Sequence, residues 1–221
     1  TVTGDFNCSR NSLISLFEGP TEVNDFDCSY NQLKNLSYAP KEVKGNFDCS
    51  NNLIDSVKGM PRTVKGYFNC SINKIATLKG GPKYVDATFD CSQNLIDRLT
   101  GGPVSVGQDY LCFKNNLTDL DGVADEIGFD LVSDIRLNHL SSTFNEEEKT
   151  WRYKGSEVIS HIYKPIVALT NVDDISRWLR KHEIKNFTIL KDNSVNVHGD
   201  VKLADKLANL LKLPLNFNII E

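Results

Sequence analysis

Six cysteines and four histidines are the side chains here whose types could do chemistry. Thiols can pair as disulfides, join imidazoles around zinc, or attack as thiolates, and each option demands a particular spacing. Cys8, Cys28, Cys49, Cys70, Cys91 and Cys112 are separated by 20, 21, 21, 21 and 21 residues, so one cysteine recurs at one register. That regularity predicts a column of buried, reduced thiols rather than a set of pairs. No C-x-x-C occurs, and His139, His161, His182 and His198 all follow the last cysteine, so zinc ligation lacks its usual spacing. A Gly-rich phosphate loop, G-x-S-x-G, H-E-x-x-H and G-x-G-x-x-G are absent from the sequence as well. The expectation is a protein that is not an enzyme, with no catalytic residue, no metal and no cofactor; the alternative of another class is an enzyme with an unrecognised site in 141–221.

The elements that must position the cysteines are written in the repeat. The runs starting at Phe6, Phe26, Phe47, Phe68, Phe89 and Tyr110 follow one template, F-x-C-S-x-N-x-L-x-x-L-x-G-x-P-x-x-V. With the aromatic at position i, apolar i and i+2 alternate with polar i+1 and i+3, the signature of a strand with one buried face. Position i+5 is Asn in all six copies (Asn11, Asn31, Asn52, Asn73, Asn94, Asn115), where the chain leaves the strand. An Asn stacked there can satisfy backbone groups that no strand ladder reaches. Apolar residues return at i+7 and i+10, and Pro at i+14 in five copies forbids a long helix on the return leg. A β-branched residue at i+17 then leads into the next strand. One coil cannot bury its own one-sided core, so the coils must stack, with neighbouring strands in parallel.

The template resembles the short bacterial-type leucine-rich repeat, and is similar in detail to repeat proteins encoded by large tailed bacteriophages. The resemblance covers residues 1 to about 128. It implies a right-handed leucine-rich-repeat solenoid with a concave parallel β-sheet, an extended or turn-like convex side, and a role in recognition. It further implies a place in the cytoplasm of an infected bacterial host or in the phage virion. The sixth copy departs from the pattern, with Phe113 for Ser and Ala124 for Pro, as a terminal coil would.

Beyond residue 128 the period is lost. Residues 129–140 read as a terminal irregular coil or linker, and 141–221 as a small α+β cap-like module. Thr143 and Glu146 stand at capping-box spacing and predict a short helix through about Trp151. An apolar stretch over 155–169 reads as helical until Pro165 interrupts it. Asn171 can cap a helix over 172–182, and Phe187, Ile189, Val195, Val197, Val201 and Leu203 suggest short strands. No cysteine occurs in 113–221, which excludes a ubiquitin-ligase domain with a catalytic thiol. Here too a resemblance adds something: Ile175 to Leu190, Val195 to Val201 and Leu213 to Phe217 are similar to the segment those phage proteins carry before their repeats. Its position after the repeats fits a chain cut or permuted from a longer one. Ile219-Ile220-Glu221 also resembles the sites at which phage prohead proteases trim virion precursors, which implies a matured structural or internal virion protein as the alternative role.

A formal net charge of -4 gives no basic footprint, so nucleic acid is not expected as a partner. No apolar run reaches the roughly 18 residues needed to span a bilayer, and no signal segment opens the chain, so neither a membrane nor secretion is expected. A protein partner remains, basic in character, or else neighbouring virion proteins. The surface expected to meet it is the exposed side of the strands at i-1, i+1, i+3 and i+4. That surface carries Asp5, Asp25, Asp27, Asp48, Asp90 and Asp109 against Arg10 and Lys114. Tyr30, Tyr67, Ile72, Leu111 and Phe113 interleave with the acids, as apolar anchors of an interface would.

Overall fold

A computed structural model describes residues 4–137 and 140–162, together with the strands Phe187–Ile189, Val195–His198 and Phe217–Ile220. The aromatic of each repeat opens a two-residue strand: β1 (Phe6–Asn7), β3 (Phe26–Asp27), β5 (Phe47–Asp48), β7 (Phe68–Asn69), β9 (Phe89–Asp90) and β11 (Tyr110–Leu111). Between them the return legs add β2 (Glu22–Val23), β4 (Glu42–Val43), β6 (Thr63–Val64), β8 (Tyr84–Val85), β10 (Ser105–Val106) and β12 (Glu126–Ile127). Odd strands pair in parallel with odd, in strict register from Phe6 opposite Phe26 to Phe89 opposite Tyr110. Even strands form a second parallel ladder, as β2 with β4 and as β6 through β12. The result is a parallel β-solenoid of about six turns, with both legs of each coil extended.

The core is a set of columns. Phe26, Phe47, Phe68, Phe89 and Tyr110 are buried, and their ring centroids succeed one another at 5.1, 5.4, 5.7 and 5.0 Å. The cysteines behind them are free and, from Cys28 onward, buried. Leu33, Ile54, Ile75 and Ile96 at i+7, with Leu36, Val57, Leu78 and Leu99 at i+10, close the interior. Each Asn at i+5 satisfies the backbone where the strand ends. Asn52 Nδ2 donates to the carbonyls of Cys28, Cys49 and Ser50 at 3.0–3.2 Å, and its Oδ1 accepts from Leu33 N at 3.0 Å. Asn31, Asn73, Asn94 and Asn115 repeat this bridge between coils. Two turns per coil need left-handed backbone. At i+12 it is met by Gly59, Gly80, Gly101 and Gly122 (φ 87° to 89°), with Glu18 and Tyr38 in the first two coils. At i+4 no glycine is used, and Arg10, Tyr30, Asn51, Ile72, Gln93 and Lys114 all take φ of 53° to 55°.

Residues 129–140 are not a linker throughout. Strand β13 (Asp130–Ser133) continues the sheet as a seventh rung, with Leu131 opposite Tyr110 and Val132 opposite Leu111. Leu131 takes the aromatic column and Ser133 the thiol column, substitutions that hide the rung from a template built on Phe and Cys. The helix expected from Thr143 is instead a hairpin of β14 (Ser142–Asn145) and β15 (Thr150–Lys154). Strand β15 pairs antiparallel with β13, burying Tyr153 and Thr150, and Asn145 Oδ1 accepts from Glu147 N and Glu148 N in the turn. Pairing of β15 along the open edge of β13, with Thr150 and Tyr153 buried, outweighs the local capping pattern. The hydroxyl of Tyr153 donates to Ile135 O at 2.9 Å and accepts from Leu137 N at 2.8 Å, fastening the hairpin to the chain it covers.

Helix α1 (Gly155–Ile162) follows directly, within the apolar stretch where a helix is expected. The chain divides into two compact units, 1–159 and 160–221, so the first extends well beyond the expected boundary at 140. In the second, β16 (Phe187–Ile189) pairs antiparallel with β17 (Val195–His198), and β17 pairs in parallel with β18 (Phe217–Ile220). The two expected strands at 187–189 and 195–197 are present, and β18 was not foreseen. The helix expected over 172–182 and the strand positions Val201 and Leu203 lie outside the described residues, as do His139 and His182. Among the described residues no helix is long and apolar enough to cross a membrane.

Candidate binding face

The outer side of the odd-numbered strands carries positions i-1, i+1 and i+4 of each coil, and the backbone dictates much of what stands there. At i+1, Asp27 Oδ1 accepts from Ser29 N at 2.9 Å and from Ser29 Oγ at 2.7 Å. Asp48 and Asp90 hold Ser50 N and Ser92 N in the same way, and Asn7 and Asn69 do so where the repeat lacks a carboxylate. Each is an Asx-turn that ends a two-residue strand. In the sixth coil Leu111 and Phe113 replace both partners of the turn together. At i-1 the side-chain oxygen reaches one coil onward, from Asp5 to Asp25 N, Asp25 to Asn46 N, Asn46 to Tyr67 N and Asp109 to Asp130 N, at 2.8–3.2 Å. Tyr67 and Thr88 interrupt that series, the Thr88 hydroxyl donating to Gln108 Oε1 at 3.3 Å instead.

The expected site residues therefore divide. Asp25, Asp27, Asp48, Asp90 and Asp109 do stand half-buried on the sheet face, yet each holds a backbone amide. Asp109 also pairs with Arg152 of β15 at 3.5 Å, and the same guanidinium lies 2.9 Å from Asp130. Among the described residues no Lys or Arg comes within ion-pair distance of Asp25, Asp27, Asp48 or Asp90. Burial pushes the carboxyls of Asp48 and Asp90 above their ordinary value, and the neighbouring charges Asp27 and Asp48 respectively add to it.

Tyr30, Tyr67 and Ile72 are exposed as expected, at 47%, 38% and 41%. Burial, and behind it the carboxylates of Asp48, Asp27 and Asp25, raise the Tyr67 hydroxyl above its ordinary value. Arg10 stacks on Tyr30 at 4.5 Å, making a cation–π pair between consecutive coils. Leu111 is half-buried. Phe113 corrects the expectation, being only 8% exposed. Position i+3 is not on the face at all, and Ser29, Ser50, Ser71 and Ser92 are buried there too. Strand alternation stops at i+2, and the Asx-turn followed by left-handed backbone at i+4 folds i+3 inward.

Beside the i+4 turn, two exposed residues escaped the reading of the sequence, as Ile14, Phe17, Tyr38, Tyr84 and Phe129 did elsewhere on the coils. Leu53 and Leu95 occupy i+6, beside the i+4 turn, and are exposed at 38% and 51%. Coils two to five thus each present one large apolar group where the chain leaves the strand: Tyr30, Leu53, Ile72 and Leu95. Counting apolar residues per coil, instead of tracking single columns, would have found this ridge.

Along the cysteine column burial disfavours the thiolate. Burial raises Cys28, Cys49, Cys70 and Cys91 well above the ordinary thiol value, and Cys112 to about 12. A nucleophilic cysteine needs the opposite shift. Cys49 and Cys91 point their sulfurs at the carbonyls of Asn69 and Leu111, 3.4 Å away. Among the described residues no group of three His, Cys, Asp or Glu side chains could hold a metal ion. No family model matches the chain, and neither a curated protein nor a solved structure matches it.

Proposed function

We propose that this chain is a non-catalytic recognition solenoid of the leucine-rich-repeat type, which binds a basic protein partner across the outer face of its odd-numbered strands. The observation that carries this reading is the place of Tyr67 on the face. It is an exposed ring one rung on from Asp48, in a run of coils whose carboxylates Asp25, Asp27 and Asp48 have no cation among the described residues. Tyr67 also gives up a backbone cap that Asp5, Asp25, Asn46 and Asp109 supply in other coils. Buried aromatic anchors beside complementary charge are what binding energy and association rate are made from. The resemblance to phage repeat proteins makes a phage or host protein in the infected bacterium the natural partner.

A photo-crosslinking side chain at position 67, compared with one at Tyr84 on the even-numbered ladder, tests the face directly. Crosslinks to a basic protein from position 67 and none from 84 are expected. The reverse pattern would move recognition to the other side of the coil.

A further inference from the structure

The apolar ridge runs along the stack at the margin of the acidic face, and its geometry narrows the kind of partner. Resting on the recognition role proposed above, we infer that the occupant is a basic amphipathic helix of another protein, lying along the solenoid with its apolar stripe on Tyr30, Leu53, Ile72 and Leu95.

The ridge has the rhythm of a helix. Its residues sit one per coil and alternate between i+4 and i+6, so they zigzag along rungs spaced by about 4.8 Å. The apolar stripe of a helix also zigzags, at i, i+3, i+4 and i+7, and advances by about 5.4 Å per turn. Three rung steps, about 14 Å, thus meet nearly three helical turns. An extended chain laid the same way offers a same-side residue every 6.6–6.8 Å or so and falls out of step after the first contact.

Charge sets the flank. On the sheet side of the ridge stand Asp27, Asp48 and Asp90, without a cation from the described residues, and Lys or Arg on one side of the helix would supply it. The opposite side, at i+8, carries Lys34 with Asp55 and Asp97 and imposes no sign, while exposed Lys74 at i+6 of coil four stands in the ridge column itself, between Leu53 and Leu95, and calls for a neutral or acidic helix residue opposite it. Arg10 and Lys114 close the i+4 column at its two ends and confine a basic helix to coils two to five. The backbone adds an independent sign that the ridge is not incidental. Ile72 is β-branched, 41% exposed, and held at φ 54°, a conformation in which such side chains are strained.

Two synthetic peptides of one composition and about 18 residues test this, a length of roughly five helical turns. One places Leu on a helical stripe with Lys along one flank; the other alternates the same residues and carries a central proline. Binding to the full chain is read by fluorescence anisotropy, and peptide helicity by circular dichroism. The helical peptide should bind and gain helicity, and Leu53→Ser with Leu95→Ser should weaken it by about tenfold or more. Equal binding of both peptides, or unchanged affinity in the ridge variant, overturns the inference, as does failure of the helical peptide to bind. Should the alternating peptide alone bind, and lose affinity with Tyr67→Thr, recognition by the face would stand and the helix would fall. A concentration-dependent dimer in sedimentation velocity, abolished by the ridge substitutions, would also overturn it by making a second copy the occupant.

Discussion

Asp27, Asp48 and Asp90 stand on the sheet with a hydrogen-bonded backbone amide under each, whereas Tyr30, Leu53, Ile72 and Leu95, a few residues further along the same coils, have no such tie. Both lines are visible from solvent and both run along the stack. The first recurs because a two-residue strand must be ended in every coil, and a short side chain with an acceptor oxygen ends it. The second recurs only as a property, since the apolar group changes type and position from coil to coil. In a repeat protein, identity kept in register points to the fold, and a property kept out of register needs another cause. Exposed acids in the columns are thus weaker evidence for a partner than the ridge that borders them.

The largest way to test that division is to remove a member of the buried ladder. Asn52→Ala leaves three carbonyls and one amide without their bridge, and should cost about 3 kcal/mol, read as a lower thermal midpoint. Next comes the Asx-turn: Asp48→Ala should cost about 1–2 kcal/mol, since Ser50 N loses its acceptor. Reversing charge at Asp27, Asp48 or Asp90 is accordingly a poor probe of binding, because it damages the coil as well. Ile72→Asn should move stability the other way, by about 1 kcal/mol, as Asn tolerates left-handed backbone that a β-branched residue resists. A loss of stability there would mean that Ile72 is a packing residue and would weaken the division.

How far the sequence disclosed all this follows from the same physics. The aromatic, cysteine, Asn and Leu columns were legible because each coil repeats one set of constraints, and a six-fold pattern averages out local noise. Leu131 and Ser133 were not legible as a seventh rung, since they satisfy the same columns with different residues once no further repeat has to match. The segment at Thr143 carries a helix-start pattern and still forms β14, because β15 takes the open edge of β13 and β14 pairs with β15 as the second arm of that hairpin. At the face, single-column reading placed Phe113 outside because it extended strand alternation past the point where the backbone turns. It missed Leu53 and Leu95 for a related reason: i+6 is polar in coils two, four and six, and the ridge exists only across columns.

A smaller effect separates charge from cap. Asp90→Asn keeps an acceptor for Ser92 N and removes a charge that burial disfavours, so it should stabilise the protein at neutral pH by about 0.5 kcal/mol. The sign of its pH dependence is fixed. A carboxyl whose folded value is raised binds its proton more tightly when folded, so the natural protein gains relative to the Asn variant as pH falls through the carboxylate range. The advantage of Asp90→Asn should shrink on acidification and be absent once Asp90 is protonated in both states. An advantage that grows instead would show that the carboxylate is stabilising where it stands, with a cation the described residues do not contain.

Last comes the ridge variant, whose stability change has to stay separable from a broken ladder. Leu53 and Leu95 keep 38% and 51% of their surface in water, so serine at each removes about half of a leucine's buried surface and touches none of the ladders. Each change should cost about 1 kcal/mol. The double variant should then stay folded at assay temperature and melt above Asn52→Ala. Under that condition a lost interaction in the ridge variant reports on the ridge alone. A double variant that melts as early as Asn52→Ala would show that the two leucines pack against their own coils. The contrast between a line set by folding and a line left for something else would then fail at the positions where it is sharpest.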